Sequence, residues 1–261
     1  MTKTEGGTMS RTDLIRVETF GDGAGVPVLL IHGFASSIRA NWESTGWLRH
    51  LSEAGRRVVA VELPGHGDTT AAGDWAPADL VEAIAGVVEA QGGTADVIGY
   101  SLGARLGWEL AGRHPALVRR LVLGGAAAVD PLADFDTDEA RRVLDPADPA
   151  EAMADALSDQ LLGAARAGEQ VLGRADGLET VLGFIARIQR QRYEPASAVP
   201  SAPTLAVAGD KDELAATSTE LLGLVREAGG QAPDVVVLPG RTHANAVTAR
   251  GFKQAATEFL A

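Results

Sequence analysis

A chain of 261 residues, 46% hydrophobic and with a net charge of −12, has ample material for one large α/β domain or one domain with an insertion. The acidic balance argues against nucleic acid or an anionic membrane as the main partner. With no cysteine, disulfides, thiolate metal sites and a cysteine nucleophile are excluded.

Residues 1–9 are polar and lack an apolar h-region, so they read as a disordered lead-in and not as a secretory signal. No apolar run is long enough to span a membrane, and the expectation is a soluble cytoplasmic protein. Leu14 to Phe20 alternates apolar and polar residues, the pattern of an antiparallel edge strand. Val26 to Ile31 is a continuous apolar run, as expected of a parallel strand buried on both faces. Further short apolar runs occur at Arg57–Val61, Asp96–Gly99, Leu121–Leu123, Thr204–Ala208 and Val235–Leu238. Helical stretches are expected between them, at Trp47–Ala54, Pro77–Gln91, Leu102–Arg113, Leu214–Glu227 and Ala244–Leu260. This alternation predicts a mostly parallel sheet with helices on both faces.

The alternation stops between Ala126 and Ala202. Met153, Leu157 and Leu161 recur at helix spacing, as do Leu178, Val181, Leu182, Ile185 and Ile188. The segment 126–202 therefore reads as a helical cap inserted into a core made of residues 10–125 and 203–261. It leaves the sheet at a carboxyl edge, where open α/β sheets bind ligands.

Gly99-Tyr100-Ser101-Leu102-Gly103 lies between a strand and a helix. A serine between two such glycines on that turn is a nucleophile elbow, although in a chain with 31 glycines the motif alone is weak. A serine needs a base. His50 and His114 have charged neighbours in or beside helices, and His32 and His66 follow strands and read as structural. His243, in the loop after the last strand, is the candidate base. Asp210 and Asp212 follow the strand Thr204–Ala208 and compete to orient it. Asp212 is favoured because it lies further out on its loop, whereas Asp210 suits a turn-shaping role. The second oxyanion donor, besides the backbone N–H of Leu102, is assigned to Phe34, since Gly33 permits a sharp turn toward the site. The Phe34 side chain would then wall the acyl pocket.

Over Leu14 to Leu260 the chain resembles the α/β-hydrolase superfamily, on His32-Gly33-Phe34, Leu63-Pro64-Gly65-His66-Gly67, the elbow, Gly209–Asp212 and Gly240–His243. The resemblance implies an eight-stranded, mostly parallel sheet, a helical cap and a Ser101–His243–Asp212 triad; no cofactor and no metal are expected. Two departures are Glu62, where such proteins usually carry Asp, and a single clear strand before Val28. Gly99 to Arg105 is also similar to the elbow of the menaquinone-pathway synthase that eliminates pyruvate, in which the matching arginine holds an anionic substrate. That similarity marks Arg105 as a candidate substrate contact; Gly33, Phe34 and Tyr100, beside the serine and the oxyanion turn, are the other candidates. A helix-surface salt bridge is the competing reading of Arg105. The segment 126–202 lacks the tryptophan of that synthase's cap, and its Arg141, Arg142, Arg187, Arg190 and Arg192 cannot be aligned with that cap's arginines. The expected function is hydrolysis of a small carboxylic ester by a monomer or homodimer. The alternatives are the lyase and a slow ligand-binding homologue.

Overall fold

The computed structural model describes residues 14–69, 73–137 and 177–261. The expected lead-in at residues 1–9, the periodic Met153, Leu157 and Leu161, and Arg141 and Arg142 lie outside the described residues, as do the side chains of Leu178 and Val181. Seven strands form one sheet: β1 (Arg16–Phe20), β2 (Val28–Ile31), β3 (Val58–Glu62), β4 (Ala95–Tyr100), β5 (Val118–Gly124), β6 (Thr204–Gly209) and β7 (Val236–Leu238). Their order is β1-β3-β2-β4-β5-β6-β7. Only β1, the alternating edge strand, is antiparallel to its neighbour. The eight strands implied by resemblance become seven among the described residues.

The apolar runs are continuous because both faces are covered. Leu29, Ile31, Val59, Val61, Val97 and Leu121 face one core, built with α2 (Pro77–Ala90), α3 (Leu102–Arg113) and α4 (Gly177–Ile188). Val28, Leu30, Val58, Ala60, Ile98 and Val122 face the other, built with α1 (Trp47–Glu53) and the last helix. The helix expected at 214–227 starts later, as α5 (Ser218–Glu227), because the Asp212 carboxylate takes the Ala215 N–H into a turn. The helix expected at 244–260 is two, α6 (His243–Ala246) and α7 (Arg250–Leu260). Between them the Val247 carbonyl accepts from the Trp47 indole at 2.8 Å and is withdrawn from helical pairing.

The strand order brings the chemistry to one edge. β2 lies beside β4 with Ile31 opposite Gly99, so the turn after β2 meets the turn after β4. The loops after β6 and β7 open at the same carboxyl edge.

Candidate active site

Ser101 sits on a turn that only this spacing of glycines allows. Its own backbone is strained, at φ 53° and ψ −116°. A Cβ on Gly99 would lie 2.2 Å from the Gly103 carbonyl oxygen, and one on Gly103 2.0 Å from the Ile31 carbonyl oxygen. Strand, turn and helix therefore touch through bare backbone. The Ser101 N–H donates to Gly124 O at 2.8 Å, which ties the turn to β5. The N-terminus of α3 lies directly after the serine and offers its positive end to developing negative charge.

His243 heads α6 and Asp212 lies three residues past β6. Ser101 Oγ is 2.9 Å from His243 Nε2, and His243 Nδ1 is 2.9 and 3.0 Å from the two Asp212 carboxylate oxygens. The carboxylate only accepts, so Nδ1 carries the hydrogen and Nε2 presents its lone pair to the serine hydroxyl. Asp212 and His243 are buried, whereas Asp210 is exposed. Of the two competing acids, the structure brings Asp212 to the histidine and leaves Asp210 outside. The loops carrying Asp212 and His243 are zipped together: Lys211 N–H donates to Arg241 O at 3.0 Å, and a Cβ on Gly209 would meet that same oxygen at 2.0 Å.

A cavity opens over Ser101 and His243. Phe34, Leu102, Val129, Leu132, Tyr193 and Leu214 form its apolar walls. A second cavity on the Gly33 and Tyr100 side shares Phe34, Ser101 and His243. Tyr100 is buried, with its hydroxyl donating to the His243 backbone carbonyl and its ring against the imidazole. Its side chain thus seats the histidine from behind, a contact that no motif in the sequence announced.

Arg105 lines the first cavity but is not on the helix surface: it is 7% exposed, and each of its three nitrogens is engaged. Nε donates to Glu109 at 3.0 Å, Nη1 to Asp130 and Nη2 to Gln191 O at 3.1 Å, with the guanidinium over the Tyr193 ring. Gln189 Nε2 donates to Leu132 O and Phe135 O at 2.8 and 2.7 Å. These bonds fasten the start and end of the 126–202 segment to each other and to α3.

Behind Phe34 lie two buried histidines. His32 Nδ1 donates to Gly33 O at 2.8 Å and its Nε2 accepts the Leu63 N–H at 3.0 Å. His66 Nδ1 donates to Pro64 O at 2.9 Å and its Nε2 accepts the Ala35 N–H at 3.0 Å. Burial pushes the pKa of His32 down to about 3 and that of His66 down to about 4. Glu62, which accepts the Ile38 N–H at 2.6 Å, is pushed up by its burial. Above about pH 6.5 both imidazoles are neutral whether the chain is folded or not. Below it the unfolded chain takes up protons that the folded one refuses, so stability falls as pH falls. By pH 4 the two histidines cost roughly 3 kcal/mol each, and Glu62 acts in the opposite sense at that end. Denaturant midpoints measured from pH 7.5 to 5 are expected to fall steadily below pH 6.5. A flat profile over that window would contradict the two neutral imidazoles.

A family profile described as alpha/beta hydrolase fold matches residues 26–177, and the chain belongs to that family. Over 117 residues it is 38% identical to a 2-hydroxymuconate semialdehyde hydrolase of Pseudomonas putida, covering 44% of this chain and 41% of that one. Over 102 residues it is 43% identical to a pimeloyl-[acyl-carrier protein] methyl ester esterase of Neisseria meningitidis, covering 39% and 37%. The matched stretches are thus less than half the length of these two relatives. Among solved structures it is similar to the enol-lactonase from Burkholderia xenovorans LB400, with a TM-score of 0.73 at 21% identity over 94% of this chain and 96% of that one, a likeness of fold. Among the described residues no helix is long and apolar enough to cross a membrane.

Proposed function

We propose that the protein is a serine hydrolase that cleaves a small, uncharged carboxylic ester through an acyl-enzyme. The observation that carries this reading is the unbroken chain from Ser101 Oγ through His243 to Asp212, opening into an apolar cavity. His243 Nε2 takes the hydroxyl proton as Ser101 Oγ bonds to the ester carbonyl carbon. The carbonyl oxygen, now negative, is received by the backbone N–H groups of Phe34 and Leu102. His243 returns the proton to the leaving alcohol oxygen as its bond to carbon breaks. A water then repeats the sequence on the acyl-enzyme and frees the acid. Asp212 holds the tautomer and balances the imidazolium.

The cavity supports an uncharged acyl group. Arg105, the one cation lining it among the described residues, faces two carboxylates, Glu109 and Asp130, so an anionic substrate beside it would add a third negative charge. The esterase and hydrolase names of the relatives agree with this class of reaction. The 126–202 segment serves as the cap, with Val129, Leu132 and Tyr193 setting acyl selectivity.

Hydrolysis of p-nitrophenyl esters from acetate to decanoate tests the proposal. Turnover is expected to peak at one chain length. On the best ester, Asp212→Asn is expected to lower kcat by on the order of 10⁴-fold through the wrong histidine tautomer, and Asp210→Asn to leave it within about twofold. The reverse ranking would move the acid role to Asp210. No turnover on any chain length would end the esterase reading.

A further inference from the structure

The peptide that would supply the Phe34 donor is held in an unusual way. Its carbonyl, Gly33 O, accepts from His32 Nδ1, and in a trans peptide the Phe34 N–H then points the opposite way. The preceding N–H, that of Gly33, is taken by the Asn41 side-chain oxygen at 3.1 Å. The following one, that of Ala35, belongs to a fully buried residue at φ 51°. A non-glycine residue in that region is strained and persists only where its surroundings over-determine it. The partner of the Ala35 N–H is His66 Nε2.

His66 is itself fixed. Its Nδ1–H is spent on Pro64 O, so Nε2 can only accept, which is what the Ala35 N–H requires. Its ring stands edge-on to Phe184 of α4 at 4.6 Å between centroids, edge-on to Phe34 at 6.0 Å, and 5.2 Å from His32. No atom of this imidazole takes part in the reaction written above.

We propose that His66 is a positioning residue for that reaction: through the bond from Ala35 N–H to its Nε2, it holds the strained 33–35 turn so that the Phe34 N–H faces the tetrahedral oxyanion. The inference rests on the serine-hydrolase reading and on Phe34 as an oxyanion donor. It distinguishes an acceptor at the Nε2 position from mere filling of space. Phenylalanine keeps the ring but has no acceptor, asparagine carries its oxygen too close to the backbone, and glutamine can place its oxygen where Nε2 stood.

The test compares His66→Phe, His66→Asn and His66→Gln with the wild type. Two readouts are used: kcat and KM on the best p-nitrophenyl ester, and the rate at which a fluorophosphonate labels Ser101. The Phe and Asn variants are expected to lose about tenfold to a hundredfold in kcat and in labelling rate, as for a small misplacement of a reacting contact, with KM within about twofold. The Gln variant is expected to recover most of both losses. If His66→Phe does not fold, His66→Asn against His66→Gln carries the same comparison. Labelling and kcat in the Phe or Asn variant within about twofold of wild type would overturn the role of His66, as would a change confined to KM. A wild-type protein that the probe does not label at Ser101 would remove the serine-hydrolase reading, and this inference with it.

Discussion

Ser101→Ala is expected to lower kcat on the preferred ester by on the order of 10⁶-fold, the scale seen when a triad serine is removed elsewhere. The physical reason is that, among the described residues, the Ser101 hydroxyl is the nucleophile at the end of the proton path, 2.9 Å from His243 Nε2. What survives should come from the oxyanion donors and from binding, and is worth about 10³ over water. The fold should be untouched. Alanine meets the same positive φ as serine at this turn, and the backbone bond from residue 101 to Gly124 O does not involve the side chain. A thermal midpoint within about 2 °C of wild type, together with lost turnover, is the expected pair of results. Retained turnover would defeat the assignment, and a large fall in the midpoint would mean that the loss reports unfolding.

Gly103→Ala is the largest stability effect expected of any single substitution at the site. Its Cβ would stand 2.0 Å from Ile31 O, 2.6 Å from Ile31 C and 2.7 Å from His32 O, all of them backbone atoms. β2 cannot retreat, because it is paired on both sides, to β3 and to β4. Either α3 lifts off the sheet or the strand register is broken, and overpacking of this kind costs about 3 kcal/mol or more. In a protein of this size that corresponds to a fall in the melting temperature of roughly 6–12 °C. Gly223→Ala is the control. Gly223 lies within α5 with nothing within 4 Å of its added Cβ, so alanine there should stabilise by about 0.5–1 kcal/mol. If both substitutions moved the midpoint in the same direction and by the same amount, close backbone contact would not be the reason for the elbow glycine.

The parts of this fold that are legible in sequence are those whose cause is local. Val28–Ile31 and Thr204–Gly209 are buried on both faces, and a doubly buried strand reads as an unbroken apolar run. Ser101 is legible because its turn demands small residues on both sides. His243 is legible because chain order places it after the last strand. Contacts set by the order of strands in the sheet are not legible. His66 reaches Ala35 only because β3 lies beside β2, and nothing in the Pro64-Gly65-His66-Gly67 turn states that neighbour. The Tyr100 hydroxyl bond to the His243 carbonyl spans 143 positions in sequence. Arg105 shows a local partner, Glu109, four residues on, which suggests a surface pair. Its burial depends on Asp130 and Gln191 closing over it from the inserted segment. The break in the last helix is equally remote in origin, since the indole that takes the Val247 carbonyl comes from Trp47.

An acyl-enzyme mechanism requires that Ser101 become covalently acylated. Acid-quenching the protein during turnover of p-nitrophenyl acetate and mapping the acetyl group by peptide mass spectrometry reads this directly. Acetyl is expected on the peptide containing Ser101, at that residue, in the wild type, and none there in Ser101→Ala. Turnover that leaves Ser101 unmodified, or an acetyl group carried at another residue and still formed in Ser101→Ala, would contradict it.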